Sequence, residues 1–312
     1  MGRPVILTVA LNAALDVTYR LDRPVTPHAT HRVTDVTHAA GGKALNTARI
    51  LHTLREPVIA TGLLGGHTGE RVAALLPAGL RHSFTKVAAE SRRAVVVADP
   101  DDATGFWEPG PHVTRDEWRR FLDRYTALAK PSRVVVLSGS LPPGLPVDTY
   151  ATLVHAARRA GAYTILDCDG PSLHAALPER PDLVKPNATE LAEAMPHLDT
   201  TGTSGTREAA EALRAAGAGA VVASRGPAGL VAVTGDGHWR ATPARPETGN
   251  PTGAGDASVA GLAHGVAHRL PWPRRLRGAA ALSAASVRAP IAGRVDVRDY
   301  LRLRSTIHVE EL

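Results

Sequence analysis

The sequence predicts an α/β protein with a mostly parallel central sheet and a small β lid. Short apolar runs alternate with amphipathic stretches along most of the chain, which is the pattern of βαβ units. Residues 14–37 and 91–108 instead contain alternating or β-rich runs with no helix between neighbours. We interpret these two segments as antiparallel strands that leave the main sheet and form the lid. The alternative is that they are two ordinary sheet edges.

The predicted elements follow one another in the order that a parallel sheet requires. Leu45, Ala48, Leu51 and Leu54 lie at helical spacing and predict the first helix, and Gly161 is a natural stop for a later one. Strands are predicted at residues 5–11, 58–64, 133–137, 163–166, 182–185 and 220–223. Helices are predicted at residues 44–54, 69–76, 147–160, 256–268 and 274–288, with a short helical segment near 296–304.

The two halves of the 312-residue sequence have no low-complexity linker, internal repeat or Pro-rich spacer between them. A chain of this length can bury a full core without disulfides, since roughly 75% of the unfolded surface is hidden at about 300 residues. We therefore predict one domain over residues 1–312, with the lid as an excursion from it.

Composition and charge exclude several classes of function. The net charge is +6, from 36 basic and 30 acidic residues, but the charges are scattered and only three Phe, four Trp and five Tyr are present. A nucleic-acid partner is therefore not expected. The one cysteine, Cys168, excludes an intramolecular disulfide and a thiolate zinc site. No apolar run approaches the ~20 residues of a membrane span, so we expect a soluble cytoplasmic protein with no membrane partner.

The sequence also lacks the motifs of several enzyme classes. It contains no G-x-x-x-x-G-K-[ST], no G-x-G-x-x-G after the first strand, no H-E-x-x-H and no G-x-S-x-G. We interpret the 14 histidines as showing no cluster at metal-ligand spacing. These absences argue against a Walker P-loop protein, a dinucleotide-dependent oxidoreductase, an α/β-hydrolase and a histidine metal site.

The segment N-P-T-G-A-G-D-A at residues 250–257 runs into an apolar helix and carries the clearest chemical signal. The small residues Gly253, Ala254 and Gly255 let the backbone approach a ligand. The N–H groups and dipole of the helix start attract an anion such as a phosphoryl group in transfer. Asp256, in the first turn, is placed to accept the proton of an attacking hydroxyl. The alternative is that Asp256 only caps the helix.

A second segment, K-P-N-A-T-E at residues 185–190, ends a strand and starts a helix. Asn187 and Glu190 share one helical face, and an amide with a carboxylate suits a hydrated Mg²⁺ ion. Lys185 is one of only four lysines, and its compact ammonium beside a Pro-Asn turn can meet phosphate oxygens. The competing interpretation is a pure capping box of Asn187 and Glu190, and both can hold together.

Polar residues near strand exits predict a pocket for a polar substrate, because open α/β sheets bind ligands beyond the C-terminal ends of their strands. Asp16 and Asn46 are placed to hydrogen-bond hydroxyl groups, with Lys43 as the charge partner. The turn S-G-S-L-P-P-G at 138–144 faces the same crevice, unless it is a plain β-to-α connection. The candidate substrate-binding residues are Asp16, Gly41, Gly42, Lys43, Asn46 and Ser140.

Six segments along nearly the whole chain resemble those of the ribokinase-like (PfkB) carbohydrate kinase family, and the branch of 1-phosphofructokinase and tagatose-6-phosphate kinase in particular. They are V-I-L-T-V-A-L-N near the start, G-G-K-A-L-N at 41–46, T-G-L-L-G-G at 61–66, S-G-S-L-P-P-G at 138–144, K-P-N-A-T-E-L at 185–191 and N-P-T-G-A-G-D-A at 250–257. The resemblance implies helices on both faces of the sheet. It also implies a lid that often pairs two subunits, and hence a homodimer.

The resemblance further implies an ATP-dependent, Mg²⁺-requiring kinase with Asp256 as the general base and residues 253–255 as the anion hole. By the same resemblance Lys185, Asn187 and Glu190 serve the ATP phosphates and Mg²⁺, the last two holding the ion through water. Residues 280–290 border the adenine. The implied nucleotide contacts also include Ser224, Gly226, Gly229 and Ser283.

Three departures from the family pattern fall in the half of the chain that binds the sugar. Ala13 replaces the Pro of N-P-A-x-D, and Ala44 stands where this branch commonly has Gly. The lid motif T-R-x-N appears as S-R-R-A at 91–94, which keeps Arg92 and loses the Asn. Phosphoryl transfer is therefore better supported than the identity of the acceptor.

The acceptor we predict is a hexose phosphate, fructose 1-phosphate or tagatose 6-phosphate, whose phosphate is held by Lys43 and Arg92. An unphosphorylated sugar, a nucleoside or a sugar-like natural product is the alternative acceptor. A sugar-binding regulator that has lost turnover is the alternative from another class.

Overall fold

Two β-sheets organise residues 4–312, which are the residues that the computed structural model describes. The strands are β1 (Val5–Ala10), β2 (Ala14–Arg20), β3 (Asp35–Gly41), β4 (Val58–Gly65), β5 (Arg81–Val87), β6 (Arg92–Ala98), β7 (Ala103–Trp107), β8 (Ser132–Ser138), β9 (Tyr163–Asp167), β10 (Leu183–Val184), β11 (Val221–Ser224), β12 (Leu230–Val233), β13 (His238–Pro243) and β14 (Ile307–Glu311). The helices are α1 (Lys43–Thr53), α2 (Gly66–Ala74), α3 (Arg115–Ala129), α4 (Thr149–Arg159), α5 (Gly170–Ala176), α6 (Ala188–Ala194), α7 (Gly202–Ala215), α8 (Ala254–Ala267), α9 (Trp272–Val287) and α10 (Val297–Arg304).

The larger sheet has ten strands in the order β14-β13-β12-β11-β10-β9-β8-β1-β4-β5. Its strands pair in parallel from β5 to β11, and β12, β13 and β14 add an antiparallel edge. The prediction of a mostly parallel central sheet is confirmed. Because parallel strands end at the same edge of a sheet, the polar residues at their exits collect there.

Helices cover both faces of this sheet because successive side chains of each strand point to opposite sides. In β1, Ile6 packs in one core with α1, α8 and α9, whereas Leu7 and Val9 pack in a second core with α3 to α7. Burial of each such side chain contributes about 1.5–3 kcal/mol. A one-residue slip of a strand exchanges the two sets, so two-sided burial fixes the register.

The lid is a separate sheet in the order β3-β2-β6-β7. Its strands lie in the two predicted segments, except that β3 continues to Gly41, four residues beyond the end of the first segment. The pairs β2–β3 and β6–β7 are antiparallel, but β2 and β6 run parallel, so the prediction of antiparallel strands was wrong for the central pair. The physical reason is that each segment leaves the main sheet at the same edge, after β1 and after β5. The two outgoing strands therefore run in the same direction.

The predicted helices and the predicted strands of the large sheet agree with the observed ones to within three residues at each end. The predicted start of α8 is two residues too late and that of α2 three residues too late. Both helices begin at a glycine with positive φ: α8 directly follows Gly253, and α2 starts with Gly66 itself. The elements that were not predicted are helices α3, α5 and α7, strand β5 and the antiparallel strands β12 to β14. In the part of the chain that is described, no helix combines the length and apolar character needed to cross a membrane.

Candidate active site

A cleft of about 1100 Å³ opens at the edge of the large sheet where the parallel strands end. Single-ligand pockets have volumes of about 300–1,000 Å³, so this cleft has room for two small ligands. The lid residues Arg92 and Trp107 form part of its wall. The predicted site residues that line it are Asp16, Gly42, Lys43, Asn46, Arg92, Ser140, Lys185, Asn187, Glu190, Ser224, Gly226, Gly229, Gly253, Ala254, Gly255, Asp256 and Ser283.

Helix α8 begins at this cleft without a side-chain cap. Its N-cap residue is Gly253, whose φ of 85° is in the left-handed region that favours glycine. The N–H group of Ala254 donates to the carbonyl oxygen of Pro251 at 3.1 Å, so that amide already serves the turn. The N–H groups of Gly255 and Asp256 follow in the first turn, where no carbonyl precedes them within the helix. With the helix dipole they give this point of the cleft an attraction for anions.

The side chain of Asp256 is buried in the first turn of α8, close to two lysines and a second carboxylate. The Asn46 amide donates to its Oδ2 at 2.7 Å. Burial, together with the nearby charge of Asp167, raises the pKa of Asp256 to about 6, although Asn46, Lys43 and Lys185 act to lower it. The group is therefore ionised at neutral pH and still basic enough to accept a proton.

The orientation of the Asn46 amide is set by Arg49, which the sequence analysis did not identify. Both side chains are buried, and the Arg49 guanidinium donates to Asn46 Oδ1 at 2.6 Å and to the carbonyl oxygen of Ala292 at 2.7 Å. A guanidinium has no acceptor, so the amide must turn its oxygen towards Arg49. Its NH₂ group is thereby directed at Asp256. Arg49 lies one helical turn after Asn46 on α1, but its contact with Ala292 could not be read from local pattern.

Asp167, at the end of β9, holds the two lysines of the cleft together. Its Oδ1 lies 3.4 Å from Lys185 Nζ and 3.7 Å from Lys43 Nζ, and its Oδ2 accepts a hydrogen bond from Ser138 at 2.8 Å. Burial alone raises a carboxyl pKa, but Lys185 and Lys43 together hold the pKa of Asp167 below its usual value. The predicted strand stopped one residue short of Asp167. The position of Asp167 directly after an apolar run was the signal in the sequence that could have identified this residue.

Lys43 points towards the half of the cleft that the sequence analysis assigned to the nucleotide. Its Nζ lies 3.2 Å from Glu190 Oε1, in addition to its contact with Asp167. Burial opposes the charged form, but Asp167 and Glu190 keep the pKa of Lys43 above its usual value. Lys43 therefore lies between the two halves of the cleft.

Asn187 and Glu190 form a capping box at the start of α6. Asn187 Oδ1 accepts from the Glu190 N–H at 2.9 Å, and Glu190 Oε2 accepts from the Asn187 N–H at 2.8 Å. The capping interpretation is confirmed. A role for the same two residues in holding Mg²⁺ through water stays a prediction.

The far end of the cleft is formed by the turn after β11 and by α9. Gly226 has a φ of 55°, and no atom lies within 4 Å of the position that a Cβ would take there, so its backbone faces open space. Ser224 and Gly229 flank this turn, and Ser283 and Val287 on α9 face it across the cleft. The predicted nucleotide contacts are thus brought together.

The opposite end of the cleft, under the lid, contains Asp16 and Arg92. Burial raises the pKa of Asp16 to about 6, although Arg49 and Arg92 oppose it. Arg92 Nε donates to the carbonyl oxygen of Asn12 at 3.1 Å. Gly41 lies behind Asp16 and does not line the cleft. It packs directly against the Asp16 carboxylate, which a Cβ at this position would overlap.

Ser140, at the same end, is held by a neighbouring side chain. The Asn12 amide donates to Ser140 Oγ and to the carbonyl oxygen of Pro109, each at 3.1 Å. The predicted polar pocket is therefore present, with its hydroxyl group fixed.

Comparisons relate the chain to sugar kinases. The sequence model of the pfkB family carbohydrate kinase matches residues 9–296. Escherichia coli phosphofructokinase-2 in complex with fructose-6-phosphate is 27% identical, with a TM-score of 0.87 over 98% of this chain and 99% of that one. The "possible 1-phosphofructokinase" of Thermotoga maritima is 25% identical, with a TM-score of 0.90 over 99% of both chains. Arabidopsis thaliana ribokinase complexed with ribose and ATP shares the fold at 21% identity, with a TM-score of 0.78 over 97% and 99% of the chains.

Replacing Asn46 with alanine should raise the pKa of Asp256 well above 6, because the amide hydrogen bond that favours its ionised form is lost. A hydrogen bond to a charged group contributes about 1.5–3 kcal/mol, and about 1.4 kcal/mol moves a pKa by one. The ¹³C carboxyl shift of Asp256, followed against pH and assigned with Asp256→Asn, measures the change.

Thr47→Val is the matched control for this measurement. Thr47 is also on α1, but its hydroxyl donates to the backbone oxygen of Asp256 at 3.2 Å and not to the carboxylate. The pKa of Asp256 should stay near 6 in this variant. Equal titration curves for Asn46→Ala and the wild type would contradict the hydrogen bond described here.

Proposed function

The chain belongs to the pfkB family of carbohydrate kinases, and from that premise we propose that it transfers the γ-phosphoryl group of ATP to a hydroxyl group of a hexose phosphate, with Asp256 as the general base. The observation that carries the proposal is the position of Asp256. A buried carboxylate stands at the uncapped start of α8, on the wall of a cleft with room for a nucleotide and a sugar.

The base in this proposal is the ionised carboxylate of Asp256. The acceptor hydroxyl donates its proton to this carboxylate as its oxygen attacks phosphorus. A pKa of about 6 suits the task, because the group is unprotonated at neutral pH and is a stronger base than an ordinary aspartate. The Asn46 amide, fixed by Arg49, holds the carboxylate in place.

The residues around α8 fit a polyphosphate. When bound, ATP supplies the γ-phosphoryl group and Mg²⁺ neutralises charge on its oxygens. The N–H groups of Gly255 and Asp256 stabilise negative charge that builds at the helix start. Lys185 adds an ammonium group that Asp167 holds on the cleft wall. Lys43 contacts the same carboxylate between the two halves of the cleft, so beside its proposed role with Arg92 at the phosphate of the acceptor it adds positive charge here. Glu190 and Asn187 would hold the ion through its water shell.

The lid end of the cleft fits an acceptor that carries its own phosphate. Arg92 contributes a guanidinium whose Nε and Nη1 donate to backbone carbonyl oxygens and whose other N–H groups can meet a phosphate. Asp16 and Ser140 supply hydrogen-bonding groups for sugar hydroxyls. That Escherichia coli phosphofructokinase-2 forms a complex with fructose-6-phosphate supports a hexose phosphate in this pocket. Fructose 1-phosphate and tagatose 6-phosphate are the acceptors we favour, and a neutral sugar is the alternative.

The lid also carries exposed apolar side chains, which supports a homodimer formed through it. On β7, Phe106 is 60% exposed, and on β3 Val36 is 49% exposed. Exposed apolar patches commonly mark interaction surfaces. A second copy of the lid sheet would cover them.

Asp256→Asn should lower kcat by about 10²–10⁴-fold, the usual contribution of a general base, while ATP affinity survives. ADP release with a panel of sugars and sugar phosphates measures turnover. Asp148→Asn, at the N-cap of α4 and outside the residues that line the cleft, is the control and should keep full activity. A sugar-binding regulator instead predicts no ADP release from the wild type with any acceptor.

The same base predicts the pH dependence of the reaction. Because Asp256 must be ionised, kcat/KM, which reports the pKa values of the free enzyme, should fall about tenfold per pH unit below pH 6 and be level above it. Asp16 has a similar pKa, so the profile is repeated with Asp16→Asn. If the acidic limb persists in that variant, it belongs to Asp256; if it disappears, Asp16 is the titrating group and the assignment of the base is wrong.

Arg92→Gln should raise KM for a hexose phosphate about 10–100-fold, since a hydrogen bond to a charged group contributes about 1.5–3 kcal/mol, and should leave KM for a neutral sugar nearly unchanged. Arg93→Gln is the matched control, because Arg93 pairs with Glu108 and is not among the residues that line the cleft. An equal rise of KM for charged and neutral acceptors would contradict phosphate recognition by Arg92.

Phe106→Asp should convert a lid-paired dimer into monomers, because a charge at the centre of an apolar contact leaves a carboxylate without a partner. Sedimentation velocity measures the change in mass. Leu301→Asp is the control, since Leu301 is similarly exposed, at 56%, but lies on α10 away from the lid. A wild-type chain that sediments as a monomer at all concentrations would rule out the dimer.

A further inference from the structure

Outside the cleft, one carboxylate and two imidazoles form a cluster that the proposed function does not use. Glu56 Oε1 lies 2.9 Å from Nδ1 of His264 and 3.0 Å from Nε2 of His268. The centroids of the two rings are 4.5 Å apart, and the ligating atoms of the three residues all lie within 4.8 Å of one another. The glutamate side chain is 2% exposed, and the two histidines are 28% and 34% exposed.

The ends of two helices build this cluster. His264 and His268 are four residues apart at the end of α8, and therefore lie on one face. Glu56 follows the C-terminal end of α1. Its N–H donates to the carbonyl oxygen of Leu51 at 3.0 Å, and Arg55 before it has a left-handed φ of 60°, which is a common way for a helix to end. The backbone of each of the three residues is thus fixed by a helix end, independently of the contacts between their side chains.

The sequence interpretation that no histidines cluster at metal-ligand spacing was wrong. His264 and His268 have the i, i+4 spacing that places two imidazoles on one side of a helix. The third member of the group, Glu56, lies 208 residues earlier than His264, so the set could not be recognised from the sequence around the histidines.

We propose that Glu56, His264 and His268 bind one divalent transition-metal ion of the zinc class, with water completing the coordination. Two imidazole nitrogens with a carboxylate are a donor set for Zn²⁺, Co²⁺, Ni²⁺ and Cu²⁺, whereas Mg²⁺ takes oxygen ligands. Ligands about 2.0–2.1 Å from a tetrahedral ion lie about 3.3 Å from one another. The two nitrogen–oxygen distances therefore have to widen by less than about half an ångström.

The surroundings of the cluster allow an ion to enter and to remain. His264 borders a cavity of about 460 Å³ that Leu54, Arg55, Tyr300 and Arg304 also line, and the two imidazoles are themselves about one-third exposed, which provides a path from solvent. A cation at the C-terminal end of a helix is favoured by the helix dipole. At a rise of about 1.5 Å per residue, His264 lies about 12 Å along α8 from Asp256. The ion is thus separate from any metal that accompanies a nucleotide.

Titration of metal-stripped full-length protein, without nucleotide or sugar, tests the proposal. Zn²⁺ is followed by calorimetry and Co²⁺ by its visible absorption, whose intensity distinguishes a four-coordinate from a six-coordinate ion. We expect one ion per wild-type chain. His264→Gln and His268→Gln should each weaken binding by more than the about 10–100-fold that loss of an outer-shell partner causes. The double variant should not bind, and Zn²⁺ should raise the Tm of the wild type but not that of the double variant.

His155→Gln is the matched control. His155 Nδ1 lies 2.9 Å from Glu179 Oε2, so this pair has one imidazole and one carboxylate but no second histidine. It should keep wild-type affinity. Circular dichroism checks that the variants fold, and the single variants carry the comparison if the double variant does not.

The proposal is overturned if the wild type binds neither ion at millimolar concentration, or if the histidine variants bind Zn²⁺ as tightly as the wild type. Either result leaves the cluster as a hydrogen-bonded contact between α1 and α8. Because no ATP or sugar enters the experiment, its outcome is independent of the proposed function.

Discussion

The ionised carboxylate of Asp256, buried at the start of α8, is the constraint on which the rest of the site depends. Removing a carboxylate from water costs several kcal/mol unless other groups compensate. Here the compensation comes from the Asn46 amide, from Lys43 and Lys185, and from the dipole of α8. The compensation is incomplete, since the pKa stays near 6. That incomplete balance gives the group both charge at neutral pH and the basicity that proton transfer needs.

Asp167 limits how far the lysines can compensate for Asp256. Both ammonium groups lie within 4 Å of the Asp167 carboxylate and stabilise its charged form directly. The pKa of Asp167 is therefore lowered, while that of Asp256 is raised. Two neighbouring carboxylates thus differ in proton affinity because of which one contacts the cations. Differences of this kind between nearby acids are how active sites assign roles to residues of the same type.

The sequence predicted those site residues whose position follows from chain topology alone. Lys185 and Asp256 stand at a strand exit and a helix start, and parallel strands bring such points to one edge. Arg49 could not be predicted, because its function depends on the carbonyl of Ala292, 243 residues away. Asp167 was missed only because the predicted strand ended one residue too early.

The parts of the fold that were missed have different causes. Strand β12 is a run of four buried apolar residues, and periodicity cannot separate such a run from a turn or a helical fragment. Helix α3, in contrast, opens with a capping box at Thr114 and Glu117 that was readable in the sequence. Helix α3 was therefore missed although its local signal was present, whereas contacts between distant segments required the structure.

Helix α8 links these observations, because its two ends serve opposite charges. Its first turn holds Asp256 and favours anions, and its last turn holds His264 and favours cations. Between them Val259 and Leu262 are fully buried, so the helix cannot shift without opening the core it shares with α1. The contact of Glu56 with His264 joins the end of α1 to the end of α8, while Asn46 near the start of α1 bonds Asp256. The carboxylate is therefore positioned by two helices that contact each other near both ends and, through Asn46 and Arg49, by the loop that carries Ala292.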